Sequence, residues 1–378
     1  MTRITAEWLS SNASQRVCAV LEDAGYQAWF VGGCVRNALL GEPVADLDLS
    51  TDAHPETVMS LAKDSGIKAV PTGIEHGTVT LVCDDIPFEI TTFRRDVATD
   101  GRRATVAFSD NIEDDARRRD FTMNALYVRA DGQVADPLGG MPDLEARRVR
   151  FIEDPDMRIK EDYLRILRFF RFYAWYGDVS AGPDRDGLAA CAENIDGLQS
   201  LSSERVTMEL LKLLSAPDPA PAVASMASTG ALMQVLPGAE HGALAVLVHL
   251  EQMQDVEADS IRRLAVLGGD SSVRLRLSKS EATDLERITS GTSPSETAYR
   301  FGLAIGQSVA LVQSASLGQP IETENWDALK TAAVEVFPLK AADLMPELSG
   351  PALGKALKDA EQRWISSGFK LTKAELLD

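Results

Sequence analysis

The stretch "VGGCVRNALLGEPVADLDLST", residues 31–51, constrains this chain more than any other. The apolar run "AWFV" that leads into it reads as a strand, stopped by Gly32 and Gly33. "CVRNALLG" reads as a short helix, and "DLDLST" as a returning strand that carries Asp46 and Asp48. Glycines between a strand and a helix start let bare backbone approach an anion, and the first helical N–H groups favour one. Arg36 adds a positive charge one turn into the helix. Asp46 and Asp48 are two apart, so on a strand both carboxylates leave the same face, about 6–7 Å apart at Cα. Like charges held that close need a cation between them, and oxygen donors select Mg²⁺ or a similar hard ion, which also takes substrate phosphate and water. An isolated D-x-D is ordinarily a solvated strand edge. Joined to the glycines and Arg36, it describes a metal-dependent nucleotidyl-transfer corner, with Gly32, Gly33 and Arg36 on a triphosphate and the aspartates on the metal.

At 378 residues, 45% hydrophobic and 25% charged, the chain is long enough for two or three packed units. The N-terminal segment has no apolar stretch of signal-peptide length, and nowhere do ~18 apolar residues run together, so no membrane span is expected and the reading is cytoplasmic. Cys18, Cys34, Cys83 and Cys191 are far apart with no C-x-x-C pair, which suggests neither a disulfide framework nor a zinc site; Cys34 and Cys83 sit in apolar runs and read as core. The four histidines lack metal-ligand spacing. A net charge of −19 argues by its sum against a nucleic-acid partner, but arginines cluster at residues 93–103, 116–121 and 158–172. An acidic shell with basic islands implies a focused anion site.

Residues 27–127 alternate short β-like runs with helical segments, a mixed α/β pattern. After the glycine-rich break "ADPLGG", residues 135–140, the strand signal nearly vanishes and amphipathic helices follow. "EDYLRILRFFR" reads as one helix, with Asp162 and Arg165 three apart on one face and Arg168 and Arg171 continuing the row. Taken alone, that spacing describes a surface ion pair. Residues 94–108 read as a mobile loop without a clear period, a length that is uncommon unless functional. Residues 216–224 read as a Pro/Ala-rich connection, and residues 268–291 as a turn followed by a helix opened by Ser278 or Ser280.

The ordered set "VGGCVRNALLG…ADLDLST", "RRDFTMNAL", "DPLGG", "RFIEDPDMRIKEDYLRILRFFRF" and "SSERVTMELLKLL" resembles the class II tRNA nucleotidyltransferase and bacterial poly(A) polymerase superfamily, itself similar to the polymerase-β nucleotidyltransferase fold. It covers roughly residues 25–240. The resemblance implies an α/β head of polymerase-β type, residues 1–143, then an all-α neck, 144–215, that selects nucleotide and binds RNA, and a helical body and tail, 216–378, that bind tRNA. One departure is Asn37, where the family usually has Asp; an Asn amide oxygen still accepts the hydrogen bonds that order the turn.

By the same resemblance, Asp46 and Asp48 are catalytic metal ligands, Arg119 contacts phosphate or ribose, and Asp120 and Asn124 order the sugar pocket. Asp162 and Arg165 read the incoming base, with Arg168 and Arg171 beside them. Glu89 alternates away from Phe88 and Ile90 toward the aspartate pair, as a third carboxylate or as the base for the 3′-hydroxyl. Residues 94–108 match a loop needed to switch from adding C to adding A. The implied activity is addition of CMP, CMP and AMP from CTP and ATP to the tRNA 3′ end, with Mg²⁺ and with grip on the acceptor and TΨC arms. The rival readings are a bacterial poly(A) polymerase, an enzyme that adds only the terminal A, and a catalytically silent RNA-binding protein of the same fold. Oligomeric state is left open.

Overall fold

The computed structural model describes residues 2–100, 103–345 and 347–378. Its strands are β1 (Trp29–Val31), β2 (Leu47–Thr51), β3 (Lys68–Gly73), β4 (Thr78–Cys83), β5 (Ile86–Thr92), β6 (Arg94–Asp100), β7 (Arg103–Phe108), β8 (Tyr127–Val128) and β9 (Val134–Ala135). Seven of them form one mixed sheet in the order β3-β4-β5-β2-β1-β8-β9. Every neighbouring pair is antiparallel except β2 with β5, which run parallel. Period-2 alternation explains the faces. On β2, Leu47 and Leu49 are buried while Asp48 turns to the other side; on β5, Phe88 and Ile90 are buried while Glu89 is exposed. Central β1 is buried at all three residues, which is why it reads as an uninterrupted apolar run.

Residues 94–108, expected to be a loop, instead form the β6–β7 hairpin, paired from Arg94↔Phe108 to Asp100↔Arg103 with an irregularity between Asp96 and Ala98. Gly101 and Arg102 lie outside the described residues. The stretch has no clean apolar alternation, so a ribbon held by backbone pairing leaves no period to find. Its base is anchored: the Phe108 ring meets His54 edge-on with centroids 4.6 Å apart.

The region after residue 140 is helical. Phe169 and Phe172 of helix Leu164–Tyr176 pack with Phe121 and Phe151. The expected connection at residues 216–224 ends inside a helix, Ala220–Ser228. Pro221 falls in its first turn, where a missing N–H costs no intrahelical bond. Helix Lys279–Thr289 opens at Ser278 with a capping box to Glu281.

The chain divides into two compact units, Met1–Glu209 with Pro221–Val235, and Leu210–Ala220 with Leu236–Asp378. The first contains the sheet. In the second, Trp364 packs with Tyr299, Phe337 and Phe369, and Glu251 is buried between Arg262 and Arg263. Among the described residues no helix is long and apolar enough to cross a membrane, and all four cysteines are buried and unpaired.

Candidate active site

The corner after β1 is shaped by Gly32, whose φ of 72° favours glycine. It is also crowded. A Cβ on Gly32 would stand 3.3 Å from Arg119 Nη1, and one on Gly33 would stand 3.9 Å from Arg36 Nη2. Two guanidinium groups therefore end beside the glycine pair, at the start of helix Gly33–Leu40, an arrangement suited to a phosphate chain. Arg36 is only 6% exposed. It donates from Nε and Nη2 to Asn37 Oδ1 (3.1 and 2.8 Å), from Nη1 to Asn124 Oδ1, and from Nη2 to the Tyr176 hydroxyl at 2.8 Å. Its guanidinium carbon lies 4.0 Å from the Tyr176 ring centroid.

Across the corner stand the carboxylates. Asp48 of β2 is in register with Glu89 of β5, and both alternate away from buried neighbours, so they share a face. Asp46 lies one residue ahead of β2 and is exposed; it is not a strand residue, which corrects the expected D-x-D strand geometry. Burial pushes the Asp48 carboxyl up to about 6, helped by the charges of Glu89 and Asp46 and opposed by Arg119. Carboxylates that resist ionising together are suited to a bound cation. Among the described residues no group of three or more His, Cys, Asp or Glu closes a cation cage. The carboxylate oxygens of Asp46 and Asp48 are nonetheless hard donors of the type Mg²⁺ takes together with phosphate and water.

Two buried networks hold the surrounding polar groups. Asp115 Oδ2 accepts from Ser50 Oγ (3.2 Å), Arg119 Nη2 (3.0 Å) and the Tyr127 hydroxyl (2.9 Å), and Arg119 Nε donates to that hydroxyl. Asp120 accepts from the Phe121 N–H and Asn124 Nδ2, both at 2.8 Å, and from Arg168 Nε at 2.7 Å. Burial alone would raise the Asp120 carboxyl; Arg168, Asn124 and the Phe121 N–H outweigh it and bring it down to about 2. Arg171 pairs with Glu209 at 2.9 Å.

The expected single helix over "EDYLRILRFFR" is corrected. Helix Pro155–Glu161 ends at Asp162, which is extended (φ −154°), and helix Leu164–Tyr176 starts after it. Asp162 and Arg165 are not neighbours on a helical face and form no ion pair. Asp162 accepts from the Leu164 N–H at 3.1 Å and from Arg205 Nη2 at 2.7 Å. Arg165 pairs with Glu161 and donates to the carbonyls of Arg158 (2.7 Å) and Arg118 (2.9 Å). Asp162 opens instead into a 380 Å³ cavity lined by Tyr163, Ser202 and Arg205.

Sequence reading missed Asp115, Tyr127, Glu161, Tyr176, Arg205 and Glu209. The i,i+4 spacings Asp115–Arg119 and Glu161–Arg165 were available as a signal. The others arrive from distant segments.

This geometry, a mixed sheet whose β1–glycine–helix corner faces a carboxylate-bearing β2, defines a nucleotidyltransferase head. Residues 28–150 match the family model "Poly A polymerase head domain", and residues 183–242 match "Probable RNA and SrmB- binding site of polymerase A". Over 377 residues the chain is 32% identical to the CCA-adding enzyme of Lacticaseibacillus paracasei, covering 94% of this chain and 92% of that protein. Over 373 residues it is 31% identical to mouse mitochondrial CCA tRNA nucleotidyltransferase 1, covering 92% and 84% respectively. The chain belongs to the CCA-adding tRNA nucleotidyltransferase family. The solved Bacillus stearothermophilus CCA-adding enzyme in complex with CTP superposes with a TM-score of 0.75 at 29% identity, covering 94% of this chain and 92% of that one. The Thermotoga maritima CCA-adding enzyme complexed with tRNA shares the fold, with a TM-score of 0.69 at 17% identity over 100% of this chain and 98% of that one.

Proposed function

We propose that this corner carries out the family's reaction: transfer of CMP, CMP and then AMP from CTP and ATP to the tRNA 3′ end, with release of pyrophosphate. The observation that carries the reading is the meeting of Asp48 and Glu89 on one face with the two guanidiniums beside Gly32 and Gly33. Asp46 and Asp48 would hold Mg²⁺, which when bound neutralises phosphate charge and lowers the pKa of an attacking hydroxyl. Gly32, Gly33, Arg36 and Arg119 bind and orient the triphosphate. Asp120 and Asn124, fixed by Arg168, order the ribose pocket. Glu89 stands beside Asp48, placed to complete the carboxylate set or to take the proton from the tRNA 3′-hydroxyl.

Base choice falls to Asp162 and Arg165. Cytosine and adenine each offer an exocyclic amine beside a ring-nitrogen acceptor; a carboxylate takes the amine hydrogen and a guanidinium donates to the ring nitrogen. Uracil and guanine offer a carbonyl and a ring N–H and mismatch both. Arg165 has three of its five N–H donors engaged by protein oxygens, which leaves two for a base. Arg171, held by Glu209, braces the same helix. We assign residues 1–143 to the catalytic head, 144–215 to a nucleotide-selecting neck, and 216–378 to a body and tail that hold the acceptor and TΨC arms.

The test is incorporation of labelled CTP and ATP into tRNA transcripts ending before CCA, after C and after CC, with Asp48→Ala as control. Ordered addition of two C and one A, lost in the control, is expected. A long A tract from ATP alone, or addition only to the CC end, would overturn the reading.

A further inference from the structure

Every other buried or half-buried arginine in this corner has a carboxylate. Arg119 has Asp115 at 3.0 Å, Arg168 has Asp120, Arg171 has Glu209 at 2.9 Å and Arg165 has Glu161. Arg36, among the most enclosed at 6% exposure, has none among the described residues. Its hydrogen-bond partners are two amides, Asn37 and Asn124, and one phenol, Tyr176. Phe172 and Tyr176 contribute ring faces, with centroids 5.1 and 4.0 Å from the guanidinium carbon. All of these are neutral. The guanidinium is geometrically fixed yet only partly compensated: Asp120, one hydrogen bond further on behind Asn124, attracts it at longer range but forms no direct ion pair, a costly state that an arriving anion relieves.

Asn37 decides this. Its Oδ1 accepts both Nε and Nη2 of Arg36, and its Nδ2 donates to the Pro43 carbonyl at 2.7 Å. The donors on one side and the carbonyl on the other fix the amide orientation. A carboxylate here would accept the same two N–H groups as a charge-assisted pair and leave the Pro43 carbonyl without its donor. We infer that Asn37 withholds a countercharge from Arg36 and thereby sets the affinity of the site for polyphosphate, both the triphosphate of the substrate and the pyrophosphate released. This rests on the proposed placement of the triphosphate beside Arg36. The amide is a positioning group that supplies geometry without charge, and its effect falls on the part CTP and ATP have in common rather than on the base.

The experiment is calorimetric titration of the full chain with inorganic pyrophosphate, and separately with CTP and ATP, in Asn37→Asp, Asn37→Ser and Arg36→Gln. Asn37→Asp is expected to weaken pyrophosphate, CTP and ATP alike, by about tenfold each, with the preference for CTP over UTP unchanged. Asn37→Ser also loses the bond to Pro43 but adds no charge, and is expected to stay within about threefold of the parent. Equal weakening in the Ser and Asp variants would mean that turn geometry, not charge, is responsible, and would overturn the inference. So would Asn37→Asp binding pyrophosphate as tightly as the parent while Arg36→Gln binds it poorly. If Arg36→Gln itself leaves pyrophosphate binding intact, the placement of the triphosphate fails instead.

Discussion

Asp48 and Glu89 stand side by side on the parallel strands β2 and β5, and the Asp48 carboxyl is pushed up to about 6, first by its burial and then by Glu89. The folded chain holds this proton more tightly than an unfolded one, whose aspartate titrates near 3.8. The contribution of Asp48 to stability without metal is therefore greatest below about pH 4 and is lost as the pH rises to about 6. Asp48→Asn removes the charge, so in chelator at pH 7 it is expected to be more stable than the parent by on the order of 1–2 kcal/mol, the gap closing by pH 4. Denaturant unfolding across pH checks this. A variant less stable at pH 7 than at pH 4, relative to the parent, contradicts the strained-carboxylate account.

Tyr127 supplies one of the three hydrogen bonds that converge on Asp115 Oδ2 and receives another from Arg119 Nε. Removing its hydroxyl in Tyr127→Phe is expected to cost about 1 kcal/mol of stability and to loosen Arg119. If Arg119 serves the phosphate, KM for CTP and ATP rises by a similar factor while KM for tRNA holds. Steady-state kinetics with each nucleotide decides it, and a rise confined to one nucleotide would place Arg119 on the base.

Arg205 and the Leu164 N–H hold the orientation of Asp162, and in the proposed reading its remaining lone pairs face the base. In Asp162→Asn an amide donor faces the carbonyl of uracil as readily as an oxygen faces the amine of cytosine. The ratio of kcat/KM for CTP over UTP should drop by about 10–100-fold, corresponding to ~1–3 kcal/mol. An unchanged ratio would remove Asp162 from base selection.

In the second unit, Glu251 is buried between Arg262 (2.8 Å) and Arg263 (2.8 Å), and Arg263 also donates to the Leu214 carbonyl at 2.7 Å. Both guanidiniums are almost fully enclosed, at 3% and 2% side-chain exposure. Glu251→Ala strands two buried charges and is expected to destabilise this unit by about 3–5 kcal/mol, with Glu251→Gln less severe. Urea unfolding measures it, and a loss under about 1 kcal/mol would mean water reaches the pair.

Local chemistry made part of this molecule legible from its sequence. Alternation of Leu47 and Leu49 with Asp48, and of Phe88 and Ile90 with Glu89, fixes which side chains leave the core, because a strand has a period of two. Gly32 marks the corner because backbone at positive φ, with Arg119 Nη1 only 3.3 Å from where a Cβ would stand, disfavours a side chain. Ser278 opens its helix because its hydroxyl meets an N–H three residues on.

Only the tertiary structure decided the rest. Arg36 meets Tyr176 across 140 residues and Asn124 across 88, and Arg205 reaches Asp162 across 43; no period or spacing encodes such pairs. The break at Asp162 has the same origin. No proline or glycine interrupts "EDYLRILRFFR", yet the chain leaves the helix there as the Tyr163 ring lies on Gly197, where a Cβ would come within 1.9 Å of the ring. Propensity favours a continuous helix, and packing overrides it, because seating an aromatic ring on bare backbone and bonding a carboxylate to a distant arginine outweigh one turn of local hydrogen bonds.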